Sequence, residues 1–271
     1  MLRATFLAAF VALLASPLVG QTAKLKRLDT GDDTRGWEAV GRLNIEGKGF
    51  CTGALIAPDL VLTAAHCLYN AKTKLRVDHG QIEFLAGWRN GRASAYRMVR
   101  RAVVHPDYNY ASSVTAERVR NDVALLELAQ PIRNTQILPF ATDARPAKGD
   151  KIGVVSYALE RSEAPSLQEV CGVLARQQGL LVTSCSADFG SSGAPIFSFR
   201  DGTPRIVSVI SAKAEVEGVP VSLGTQLETP LALLRAALAA QRGVFAGGGA
   251  LKSRVVVGQK QPDTGAKFIK N

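Results

Sequence analysis

The stretch CTGALIAPDLVLTAAHC, residues 51–67, holds two apolar runs split by Pro58 and Asp59 and closed at each end by a cysteine. Proline fixes φ and lacks an amide donor, and Asp59 is a turn former, so the stretch reads as two short strands joined by a tight turn. A second turn follows and carries His66. Cys51 and Cys67 can staple the first strand to that turn, and a general base must be held in one orientation.

The same pattern of short β-rich runs separated by turn residues extends in both directions. It includes EAVGRLNI, FCTGALIA, LVLTA, IEFLAGW, YRMVRRAVV, DVALLEL, KIGVVSYA, GLLVTSC, APIFSF, RIVSVISA and VSLGTQL. Eleven such runs with few helical periods between them predict an all-β barrel or sandwich rather than an alternating βαβ sheet. One helix closes the region. Thr229 is its expected cap, Pro230 suits its first turn, and LALLRAALAAQ follows with Leu and Ala at helical spacing.

The ends read differently. Arg3 followed by the apolar run TFLAAFVALLA and Pro17 predicts a signal peptide over residues 1–20, and that run falls short of the ~20 residues needed to span a bilayer. No stable membrane insertion is therefore expected. Residues 21–36 are polar and expected to be loosely held. Residues 243–271 are Gly-rich and aperiodic, with five basic residues against Asp263, a net charge of +4, and are expected to be disordered.

Export permits disulfides. Cys51, Cys67, Cys171 and Cys185 form two local couples of similar spacing, which suits two bridges; zinc would want a Cys-x-x-Cys or His-rich pairing that the chain lacks. The whole 271-residue chain carries a net charge of +10, but aromatics make up only 6% of it, too few for a basic surface interleaved with stacking rings. Nucleic acid is not an expected partner.

Three positions are suited to chemistry. His66 follows a buried-looking strand. Asp122, in RNDVALLEL, heads an apolar run where a carboxylate needs a partner such as an imidazole N–H. Ser192, in DFGSSGAPIF, sits between glycines: Gly190 lets the backbone approach a substrate, Gly193 leaves space beyond the nucleophile, and the amides of Gly190 and Ser192 can converge on an oxyanion. His79 and His105 have no matched nucleophile.

In the order His66, Asp122, Ser192, these motifs resemble the trypsin/chymotrypsin-like serine proteases, over residues 37–241 and most specifically at CTGALIAPDLVLTAAHC, DVALLEL and GSSGAPIF. The resemblance implies two six-stranded antiparallel β-barrels of the chymotrypsin type with a C-terminal helix, spanning residues 37–242, and a catalytic His66–Asp122–Ser192 triad. It implies an oxyanion hole from Gly190 and Ser192, a polypeptide substrate, no cofactor or metal, a monomer, and secretion or a periplasmic location. It also pairs Cys51 with Cys67 as the histidine-loop disulfide. Cys171 and Cys185 are left to join strands leading into the nucleophile loop, a bridge that does not map clearly onto the family. The rival expectation is an inactive homologue used as a binding module, and a third reading keeps the nucleophile for ester cleavage.

Two departures stand out. The acid that precedes the nucleophile in members activated by cleavage is replaced by Ser191, and the apolar-Val-Gly-Gly start that would pair with it is missing. Together they predict an oxyanion hole ordered without amino-terminal processing, as in bacterial secreted relatives such as glutamyl endopeptidases. Activity would then survive truncation or extension near residue 30. For the specificity pocket, the expected floor is Thr183, Ser184, Ser186 or Asp188, with Ser211 to Lys213 facing the substrate backbone. Asp188 pointing inward would favour basic side chains and Lys213 would favour acidic ones. The absence of histidine from RIVSVISAK argues against the glutamyl-specific arrangement.

Overall fold

The structure is a computed structural model that describes residues 24–45, 49–143 and 146–246. The signal-peptide expectation therefore lies outside the described residues, as does most of the basic tail.

A two-residue strand, β1 (Lys26–Arg27), precedes the first barrel. That barrel is built from β2 (Val40–Ile45), β3 (Gly49–Ala57), β4 (Leu60–Thr63), β5 (Ile82–Ala86), β6 (Ala95–Val104) and β7 (Ala124–Leu128). These strands run in the order β6-β5-β2-β3-β4-β7, and β6 pairs back onto β7 to close the sheet. The second barrel uses β8 (Lys151–Ser156), β9 (Ser166–Gln177), β10 (Leu180–Thr183), β11 (Pro195–Ser198), β12 (Arg205–Val216) and β13 (Val219–Gln226). Their order is β9-β10-β13-β12-β11-β8, closed by β8 on β9. The expected all-β fold of two six-stranded antiparallel barrels is what forms. Closure leaves no long unpaired edge, which suits a chain of many short strands.

The hairpin at 51–67 folds as its turn residues dictate: β3 pairs with β4, Ala54 opposite Leu62 and Leu55 opposite Val61. The eleven apolar runs supply eleven of the twelve barrel strands. The twelfth, β9, reads SLQEVCGVLARQ, and its alternation is interrupted by Gly172 and by register shifts against both β8 and β10. A strand with bulges on both sides loses the period-2 signal that identifies strands in sequence.

Both flanks make contacts within the described residues. In the amino-terminal segment, β1 pairs with β9, the Leu28 amide donates to Pro165 O at 2.9 Å, and Leu28 is 1% exposed. At the other end, a short strand β14 (Phe245–Ala246) adds to β6, with Phe245 3.6 Å beneath the Arg76 guanidinium. The run RVVV and the rest of the tail, residues 247–271, fall outside the described residues.

A short helix, α1 (Ala116–Arg120), is capped by the Thr115 hydroxyl and leads directly into Asp122. The expected C-terminal helix forms as α2 (Glu228–Ala239), beginning one residue before Thr229; its N-cap position is Leu227, without a side-chain cap. Burial of Leu227, Leu231 and Leu234 sets this start, because hydrophobic contact outweighs a cap worth ~1 kcal/mol. No helix of the described residues is long and apolar enough to cross a membrane.

Aromatic packing fills the core shared by the two halves. Phe197 of β11 meets Trp37 and Phe140 at centroid separations of 5.1 and 4.8 Å, both edge-on. Tyr157, fully buried after β8, donates its hydroxyl to Trp88 O at 2.9 Å, just past β5. These contacts fix one barrel against the other and so fix the cleft between them. Phe197→Ala is expected to lower unfolding free energy by about 3–5 kcal/mol, read from urea denaturation; a loss below about 1 kcal/mol would mean that the shared core does not carry this load.

Candidate active site

His66 lies in a single 3-10 turn, Ala65–Leu68, after β4, and Cys67 beside it is bonded to Cys51 on β3. The turn, tied at its centre to the barrel wall, sets the direction of the imidazole. Asp122, 3% exposed, arrives from α1 on the neighbouring strand entry. Its Oδ1 accepts the His66 backbone amide at 2.8 Å, and its Oδ2 faces His66 Nδ1 at 2.7 Å. A third donor comes from the other barrel: Ser211 Oγ donates to Oδ2 at 2.5 Å.

Burying a carboxylate is costly unless its oxygens are hydrogen-bonded, and these three donors meet that requirement. Because a carboxylate only accepts, the Nδ1 position of His66 carries the proton, and Nε2 keeps its lone pair free. Burial pulls the His66 pKa down, but the charge and hydrogen bond of Asp122 outweigh it, and the pKa lies above the ordinary histidine value.

The nucleophile loop can be accounted for group by group. Asp188 N donates to Ser191 Oγ at 2.7 Å and Phe189 N to Asp188 Oδ1 at 2.8 Å. Ser191 N donates to Asp188 O at 2.9 Å, and Gly193 N to Ile210 O at 2.7 Å. Among the described residues, the amides of Gly190 and Ser192 are the two of this run without an acceptor. The carbonyls of Phe189, Gly190, Ser191 and Ser192 are occupied, by Leu159 N at 2.8 Å, Thr52 Oγ1 at 2.8 Å, Ala194 N at 2.9 Å and Thr52 N at 2.9 Å. Two N–H groups, one residue apart, are thus left unclaimed on a backbone tied down around them, the arrangement that an oxyanion site requires.

Both flanking glycines are required for steric reasons. Gly190 has φ of +97°, and a Cβ there would lie 2.2 Å from the Phe50 ring; a Cβ on Gly193 would lie 2.1 Å from Thr63 Oγ1. Gly190 is therefore a glycine because of Phe50 and its backbone angle, and not only to admit a substrate. The two serines differ. Ser191 is fully buried, and its hydroxyl donates to Asp188 O at 2.5 Å while accepting Asp188 N. Ser192 is partly exposed, its hydroxyl makes no hydrogen bond among the described residues, and its carbonyl oxygen lies 3.8 Å from Sγ of Cys67, the neighbour of His66.

The pocket expectations separate on inspection. Ser184, Ser186 and Lys213 line a cavity of about 880 Å³ beside the nucleophile loop, together with the bonded pair Cys171–Cys185. Thr183 does not line it: it is fully buried and hydrogen-bonded to Ser222 Oγ at 2.6 Å. Asp188 does not line it either, because its carboxylate is turned to the Phe189 amide and lies 3.8 Å from Lys213 Nζ. The Ser211 side chain is committed to Asp122 rather than to a substrate. Sequence reasoning missed that role, and it missed Thr52. The signal for both was weak, a hydroxyl at a position that reads as buried strand.

A family model described as Trypsin matches residues 30–215, a span that contains His66, Asp122 and Ser192. The chain belongs to the trypsin family. Curated relatives of this trypsin-family chain include mast cell protease 3 of Ovis aries, 30% identical over 145 residues that make up 51% of this chain and 53% of that protein. They also include trypsins of Phaedon cochleariae, 35% identical over 36% of this chain and 33% of that protein, and of Simulium vittatum, 30% identical over 51% and 58%. The matched region thus spans about a third to three-fifths of these relatives, all of them animal proteins. Among solved structures, one titled "Structure of Glu endopeptidase in complex with MPD" shares the fold at a TM-score of 0.66 and 18% identity, covering 82% of this chain and 99% of that one.

Within this trypsin-family fold, Thr52 is a cross-barrel tie: besides its bonds to Gly190 and Ser192, its Oγ1 accepts Tyr157 N at 3.1 Å. Thr52→Val keeps the shape and removes the hydroxyl. It is expected to cost about 1–3 kcal/mol for each buried group left unpaired, whereas Thr52→Ser restores most of the loss; equal denaturation midpoints for Thr52→Val and the parent would contradict the assignment.

Proposed function

We propose that the protein is a serine endopeptidase that hydrolyses peptide bonds through an acyl-enzyme on Ser192. The observation that supports this best is the pair of unclaimed amides at Gly190 and Ser192, in a loop whose other amides are all taken. In the proposed cycle, Ser192 Oγ attacks the scissile carbonyl carbon and His66 Nε2 takes the hydroxyl proton. The carbonyl oxygen, now negative, rests against the two amides. His66 then gives its proton to the leaving nitrogen as the C–N bond breaks. Water, deprotonated by His66, attacks the ester carbon, and Ser192 leaves with the proton returned. Asp122 holds the imidazole tautomer and stabilises the imidazolium; a hydrogen bond from Ser192 Oγ to His66 Nε2 forms when a substrate is bound.

Residues 37–242 would carry this activity as a monomer acting on polypeptides. Two disulfides favour an oxidising compartment, in keeping with export directed by residues 1–20 and a secreted or periplasmic location. The Ser191–Asp188 clasp supports activity without amino-terminal processing, a trait of bacterial secreted members. It orders the loop from within, where an activated relative uses an ion pair to a new amino terminus. Cuts near residue 30 also remove Leu28 from the core, so a truncated chain would lose stability even where the clasp is intact.

A fluorophosphonate is expected to label the exported, otherwise uncleaved chain at Ser192 and nowhere else. An unlabelled Ser192 beside a labelled control protease would favour the inactive homologue. The pH profile offers a separate check, because only neutral His66 accepts the serine proton. The raised pKa places the acid limb of kcat/KM above pH 6.5, with activity lost as pH falls through it. Asp122→Asn is expected to lower kcat by about 10⁴-fold and to move that limb to lower pH. A limb unmoved by this change would sever His66 from Asp122.

A further inference from the structure

The cavity beside the nucleophile loop carries its own chemical signature. One wall is Ser184, Ser186 and Ala187, from the segment leading to Ser192; another is Lys213 and Ala214 of β12, just past the Ser211 that holds Asp122. The first wall runs on along the chain into the loop that carries Ser192, and the second follows directly on Ser211, so both walls are continuous with the elements of the candidate active site. Lys151 and Lys213 are the charged residues on the lining, and no carboxylate is among them. The nearby acid, Asp188, is not on the lining, and its Oδ1 accepts the Phe189 amide.

The Lys213 ammonium stands where β12 meets the nucleophile loop. It is 3.8 Å from Asp188 Oδ1 and 5.0 Å from the centroid of the Phe189 ring. Both ends of this ion pair are about half exposed, with side-chain exposures of 59% and 49%, so it is weak and open to exchange. A carboxylate entering the pocket can compete with Asp188 for the ammonium. The Ser184 hydroxyl, which accepts the Gly172 amide at 2.9 Å, has its own hydrogen unclaimed among the described residues.

Resting on the serine-endopeptidase reading, we infer that this pocket selects glutamate or aspartate on the acyl side of the scissile bond and rejects lysine and arginine, with Lys213 as the specificity-determining residue. A basic side chain would meet two like charges on a lining without a carboxylate, with Asp188 already paired to Lys213, whereas an acidic one gains a charge-assisted contact. Lysine here supplies the positive charge that no histidine of RIVSVISAK provides.

Two measurements on the mature chain test this together. The first compares kcat/KM for one peptide carrying Glu, Asp, Leu, Lys or Arg at that position. Glu or Asp is expected to exceed Lys and Arg by at least about tenfold at low salt, and Lys213→Gln to narrow the Glu-to-Leu ratio by about tenfold. The second uses Ser192→Ala, which cannot turn over, and measures by titration the binding of peptides that end in Glu, Leu or Lys. The Glu peptide is expected to bind tightest, and Lys213→Glu in that background to invert the order. If no peptide is cleaved but the Glu peptide still binds tightest, the pocket assignment stands and the endopeptidase reading falls. Preference for Lys or Arg in either measurement, or a Glu-to-Leu ratio indifferent to Lys213→Gln, overturns the inference.

Discussion

The buried carboxylate of Asp122 constrains everything around it. It lies between the barrels at 3% exposure and takes donors from both: the amide and ring of His66 on one side, the hydroxyl of Ser211 on the other. A charge so placed is costly unless every lone pair finds a donor, and removing one partner of such a set typically costs several kcal/mol. The requirement works in both directions. The donors satisfy the carboxylate, and the carboxylate fixes the imidazole tautomer and docks β12 against the first barrel.

A second constraint lies a few ångströms away and is met without charge. The loop 188–193 leaves two amides free while tying down the backbone around them, and it does so with neutral groups. Ser191 folds back on Asp188, and Thr52 reaches across from the first barrel to hold two carbonyls. Neutral hydrogen bonds of this kind are individually modest, but in a closed set each depends on its neighbours for geometry. The serine that replaces an acid before the nucleophile is then an alternative fastening, already closed within the loop itself.

Much of this was legible in the residues. The hairpin at 51–67, the cysteine beside His66 and the glycine frame around Ser192 each carry a local rule, in turn chemistry, tethering or steric room. Local rules are what a linear sequence records. Strand β9 escaped because its bulges erase the alternation, and the anchoring of Leu28 escaped because a single apolar residue in a polar stretch gives no period. The roles of Thr52, Ser211 and Ser191 depend on what stands opposite each hydroxyl in space. The opposing readings of Asp188 and Lys213 required knowing which side chain faces the cavity, and a change of a few torsions decides that.

The central claim is that the Gly190 and Ser192 amides form a ready oxyanion site in the unprocessed chain. Amide proton shifts of ¹⁵N-labelled protein, recorded before and after a peptide boronate forms its tetrahedral adduct, test it most directly. Among residues 188–193, the amides of Gly190 and Ser192 should move strongly downfield while those of Asp188, Phe189, Ser191 and Gly193 hold their positions. An adduct that leaves these two amides unmoved, or that forms only after cleavage of the amino-terminal segment, would contradict the account.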